Sequence, residues 1–143
     1  MRKFVKWWLP VVVWMGVIFF GSSIGDLPQI GDDVADGVVH RAAHVLEFAA
    51  LGALLLRAMC EDKPATKREM VATLVVVAVY GISDEFHQRF TPGRTSEGST
   101  VLFDVAGGLI GVWVWRWWVA PNRKGRLRRP RISESAGQSA TKP

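Results

Sequence analysis

Four stretches of this sequence, residues 4–21, 38–60, 69–90 and 99–119, are apolar over about the length a helix needs to cross a bilayer. That length is ~20 residues for ~30 Å of hydrocarbon. The first, FVKWWLPVVVWMGVIFFG, carries only Lys6 near its start, while the second and third hold charged residues within them. The last has Asp104 near one end and Trp113, Trp115, Trp117 and Trp118 near the other, where a spanning helix meets lipid headgroups. Because lipid offers no hydrogen bonds to the main chain, such segments satisfy their backbone groups internally, as helices. The predicted fold is all-α, an integral membrane bundle of about four transmembrane helices.

Composition agrees with one compact unit. At 143 residues and 49% hydrophobic content the chain is short for two domains and apolar for a soluble one. A cleaved signal peptide competes for the first segment, but no small-x-small cleavage site follows its core cleanly and three apolar segments come after it. Pro10 lies early in that segment, where a missing amide is tolerated, and Gly107 with Gly111 forms a GxxxG that allows close helix approach or simple packing. Cys60 is the single cysteine, so no intramolecular disulfide forms and no redox compartment follows. After residue 120 the chain reads PNRKGRLRRPRISESAGQSATKP, with too few large apolar groups to offset its ordering entropy. The expected organisation is a membrane domain over residues 1–120 and a basic, disordered tail over 121–143.

Charge sets the orientation. With four spans, the N-terminus, the 60–69 loop and the tail share one side of the membrane with 15 of the 18 Lys and Arg residues, including Arg57 and Arg116. The other side holds Arg41, Arg89 and Arg94 together with the acidic run Asp26, Asp32, Asp33 and Asp36. The positive-inside rule then predicts a multi-pass protein of the cell membrane with both termini cytoplasmic. The net charge of +5 is concentrated beside apolar runs and in the tail, and the Arg-rich stretch 123–131 has no interleaved aromatics or recognition motif. Membrane lipids are therefore the expected partners in preference to nucleic acid.

An Asp or Arg at the centre of a spanning helix costs about 2.5–3.5 kcal/mol on insertion scales, so ionisable residues there need partners or a wet cavity. In HRAAHVLEFAALG, His40, His44 and Glu47 follow i, i+4, i+7 spacing and share a helix face, with Arg41 beside it. In YGISDEFHQRFTPGR, Asp84, His87 and Gln88 follow i, i+3, i+4 spacing, while Glu85 points about 100° from Asp84. Pro92 and Gly93 then turn the chain, Arg94 follows, and Asp104 lies about one turn inside the last segment. The deduced topology puts His44, Glu47, Asp84, His87, Arg94 and Asp104 in the outer half of the bilayer, in one pocket roofed by residues 89–98.

Three roles fit this set. Ion pairs and hydrogen bonds among the residues can fix helix packing. An acid/base or anion-binding pocket can place Arg94, Gln88 and Arg41 on an anionic substrate, His44 or His87 in proton transfer, and Glu47, Asp84 or Asp104 as base or as orienting group. Zinc or iron is served by the same ligand types, although the HxxxHxxE spacing matches neither HExxH nor a cysteine-rich site, so metal and cofactor are undefined. The sequence has no Gly-rich phosphate loop, GxSxG elbow, dinucleotide fingerprint or internal repeat.

At these residues the chain resembles the VanZ-like family. Arg41, His44, Glu47, Phe48, Leu51 and Gly52 match a basic residue and His followed by E-[YF]-x-x-L-G. Asp84, Glu85, His87 and Gln88 match D-E-x-H-Q, Pro92, Gly93 and Arg94 match its P-G-R turn, and Asp104 precedes the glycine-spaced helix. Thr100 stands where the pattern has Asp, and Phe48 where Tyr is commoner. The similarity covers residues 4–119 and implies small polytopic membrane proteins. The family's namesake is associated with teicoplanin resistance, which implies a link to the cell envelope in that member. For this chain the polar cluster suits an enzyme acting on a lipid-linked or anionic envelope substrate, while the absence of a known nucleophile suits a non-enzymatic membrane scaffold or a protein that binds a partner or lipid. No particular reaction is implied.

Overall fold

The computed structural model describes residues 2–24, 33–61, 63–92 and 100–119. All regular structure among them is helical: α1 (Arg2–Trp7), α2 (Leu9–Ser22), α3 (Asp33–Cys60), α4 (Lys67–Gln88) and α5 (Thr100–Val114), which runs into a π-helical turn, Trp115–Val119.

The first apolar stretch is two helices meeting at Trp8. Pro10 has no amide hydrogen to give the carbonyl four residues back, that of Lys6. The Arg57 guanidinium of α3 fills the vacancy, donating to the Lys6 oxygen at 3.3 Å while lying 5.0 Å from the centre of the Trp7 ring.

The helix expected over 38–60 begins five residues earlier, at Asp33, because hydropathy marks where a helix is apolar and not where its hydrogen bonding starts. It stops at Glu61, whose φ of 43° is left-handed. A capping box opens α4: the Thr66 hydroxyl accepts from the Glu69 amide, and the Glu69 carboxylate accepts from the Thr66 amide at 2.7 Å. The same helix closes at Gln88, two residues before the expected end, as the Phe90 and Thr91 amides tighten onto the His87 and Gln88 carbonyls.

α5 packs most extensively on α3, and small residues are the reason. A Cβ on Gly107 would strike the Val45 carbonyl, and one on Gly111 the Ala49 carbonyl, so the GxxxG spacing lets the two backbones touch. Gly108 faces Val77, whose Cγ1 would lie 2.7 Å from an added Cβ, so α5 is wedged between α3 and α4.

Phe48, Leu51, Leu55, Ile18, Val11 and Val77 form the main core, and Leu56, Cys60, Val112 and Trp115 a second one. The outer surface is also apolar. Val71, Val75, Val79, Ile82 and Phe86 form an exposed stripe along α4 at three- and four-residue spacing, which Phe90 in the turn after it extends. Among the described residues, two helical stretches suffice by length and composition to cross a membrane, Gly37–Cys60 and Lys67–Gln88, and Leu9–Ser22 is a shorter apolar helix.

Candidate functional site

Among the described residues, the buried polar side chains other than Thr73 gather at the end of the bundle where α2 and α4 finish and α5 begins. His44 projects from α3, stacked on Phe48 with ring centres 6.3 Å apart and tilted against His40 at 5.9 Å. Its Nδ1 lies 2.9 Å from Oδ1 of Asp104, which occupies the second turn of α5, and both groups are buried. With the carboxylate as acceptor, Nδ1 is the donor and Nε2 the lone-pair nitrogen. The other Asp104 oxygen rests on α4, where Gly81 makes room: a Cβ there would lie 2.8 Å from Oδ2. One carboxylate thus joins three helices.

A second group sits three residues further along α4, about 4.5 Å along its axis. Asp84 Oδ2 accepts from the Ser22 hydroxyl and from Gln88 Nε2, each at 2.8 Å, which fastens α2 to α4. Beside it, Ser23 gives its hydroxyl hydrogen to the Phe19 carbonyl at 2.7 Å, which leaves its oxygen to accept from His87 Nε2 at 3.0 Å. The His87 ring stacks on Phe19, centres 4.4 Å apart, and is partly open to the surroundings. Nδ1 is then the basic nitrogen of His87.

Glu85 belongs to neither network. It is only 5% exposed, yet neither carboxylate oxygen has a hydrogen-bond partner among the described residues. Being four residues past Gly81, it lies on the same face of α4 as the seat of Asp104. Helix spacing sets it apart from the candidate residues, because it points about 100° from Asp84. Its place in the D-E-x-H-Q match is the signal the sequence carries, whereas its i+4 spacing from Gly81 means nothing until Asp104 is known to sit there.

The remaining candidates are spread around this centre. The Glu47 carbonyl accepts from Trp14 Nε1 at 2.9 Å. Arg41 is exposed, its guanidinium 5.9 Å from the centre of the Phe103 ring. Gln88 lies within the Asp84 network. Arg94 and the rest of the 93–99 stretch fall outside the described residues, as does the 120–143 tail. Among the described residues, no three His, Cys, Asp or Glu side chains are grouped so as to hold a metal ion.

The sequence model of the VanZ/LLP1 family matches residues 7–119. The chain belongs to this family. The VanZ/LLP1 match takes in every residue of both polar networks and Glu85, from Ser22 to Asp104. No curated protein and no solved structure matches the chain.

Proposed function

We propose that this VanZ/LLP1 protein is a four-span bundle of the cell membrane, both termini cytoplasmic, whose polar end is a binding pocket in the outer half of the bilayer. Arg2 to Ser22, two helices meeting at Trp8, and Thr100 to Val119 each cover about 20 residues, long enough to cross beside α3 and α4. The apolar exterior and the polar interior at one end fit a lipid solvent. Residues 1–120 would form this domain and 121–143 a basic cytoplasmic tail.

The observation that carries the pocket is Glu85. Buried polar groups are hydrogen-bonded in more than about nine cases of ten, so a buried carboxyl with both oxygens unpartnered marks where a bound molecule would supply the donor. A lipid-linked or other anionic envelope substrate fits that place. Its hydroxyl or amine would donate to Glu85, its anionic group would meet Arg94 and Arg41, and His87 or His44 would exchange protons with it, oriented by Asp84, Glu47 or Asp104.

A scaffold role for the same residues is favoured by a different observation: His44, Asp84, Gln88 and Asp104 all find partners inside the bundle. The two roles separate when Glu85→Gln and His87→Ala are compared with the parent protein for abundance and for co-purifying envelope lipid, measured by mass spectrometry. A pocket gives normal abundance with depleted lipid. A scaffold gives depleted protein with unchanged lipid per molecule.

A further inference from the structure

At the opposite end of the bundle, a groove of about 480 Å³ runs between the first turns of α4 and the end of α5, within the ~300–1,000 Å³ range of ligand sites. Met70, Ile110, Val112, Trp113 and Trp117 make its walls, and among the described residues Arg116 is the one charged residue lining it. We propose that this groove holds an acyl chain of an anionic phospholipid of the cytoplasmic leaflet, with the lipid phosphate on Arg116. The proposal rests on the membrane orientation given above and not on the polar pocket.

Three observations carry it. The Arg116 guanidinium donates to the Met70 thioether at 3.3 Å and lies 5.8 Å from the centre of the Trp117 ring, and no carboxylate pairs with it among the described residues. A thioether is a weak acceptor, so five N–H donors lack an anion that would suit their fork. Next, Trp113 and Trp117 are both exposed beside it, as aromatic side chains are where headgroups meet acyl chains. Lys67, exposed and three residues before Met70 on α4, adds positive charge on the same side. Finally, Arg116 lies in the π-helical turn Trp115–Val119, a local rewinding that recurs at functional sites. A single cation at one end of an otherwise apolar groove complements an amphiphile with one anionic head, and basic pockets between helices on the cytoplasmic side are known lipid-headgroup sites.

The test is native mass spectrometry of the full chain titrated with phosphatidylglycerol or with phosphatidylcholine of the same acyl chains. The parent protein is expected to bind phosphatidylglycerol about tenfold more tightly, the size of one charge-assisted hydrogen-bond contact. Arg116→Gln should erase that preference and Arg116→Lys should retain part of it. Ile110→Trp, which fills the groove and keeps the charge, should weaken binding of both lipids, and it still decides the matter if Arg116→Gln fails to fold. Arg128→Gln with Arg129→Gln, in the basic tail, should leave the preference intact. Equal binding of the two lipids by the parent protein overturns the proposal, as does a preference that survives Arg116→Gln and vanishes in the tail variant. Envelope lipid retained at the polar end without this preference would sink the groove alone, whereas an extracytoplasmic C-terminus would sink both.

Discussion

Replacing Asp104 by Leu removes the acceptor for His44 Nδ1, 2.9 Å away, from a position that is 1% exposed. Deleting one partner of a hydrogen bond to a charged group costs about 1.5–3 kcal/mol, and of a fully buried ion pair about 3–5 kcal/mol. His44 keeps company with Phe48 and His40 but loses the carboxylate that it pairs with, so a cost near 3 kcal/mol is expected. His44→Phe should be similarly costly, since Asp104 Oδ1 would then be the orphan. The double variant replaces both by apolar groups of comparable bulk and should return most of the stability, because such exchanges are often close to neutral. The assay is reversible unfolding in mixed micelles, followed by tryptophan fluorescence, for the four proteins of the cycle. A coupling of about 2 kcal/mol or more is predicted; additivity to within about 0.5 kcal/mol would mean that the two residues are not in contact and that α3 and α5 do not meet as described.

Gly111→Ala should destabilise the protein by about 1–3 kcal/mol by forcing α5 off the Ala49 carbonyl. Gly16→Ala, where nothing lies within 4 Å of the added methyl, should be neutral or stabilising in the same unfolding measurement. Glu85→Leu removes an unpartnered buried carboxyl and should raise stability by about 1–3 kcal/mol while abolishing envelope-lipid retention, a combination that a purely structural Glu would not show. Topology reporters at residues 30, 65, 95 and 143 should read outside, inside, outside, inside, as the 15-to-3 division of Lys and Arg requires; an extracytoplasmic signal at 143 refutes the orientation.

Periodicity and hydropathy made the helices legible, because burial in lipid or in a core selects apolar residues over the length of an element. The ends were less so: Asp33 to Gly37 belong to α3 although they are not an apolar run, and the break at Trp8 follows from Pro10 together with a guanidinium from a distant helix. Spacing also gave the sets His40, His44, Glu47 and Asp84, His87, Gln88, since neighbours on one helix face are fixed by the chain itself. Pairings between helices were beyond it. Ser22 and Ser23 hold Asp84 and His87 from α2, and nothing in a serine at the end of an apolar run announces that role. The seat of Asp104 on Gly81, and with it the significance of Glu85, likewise needs the third dimension.

The central claim, a ligand pocket at the polar end of a four-span bundle, is tested most directly by a structure determined in lipid nanodiscs with native density retained. The account predicts four crossings of the bilayer and non-protein density within hydrogen-bond reach of Glu85 and His87 in the outer half. Two crossings, or a polar end that is sealed and dry with Glu85 paired to another side chain of the protein, would contradict it.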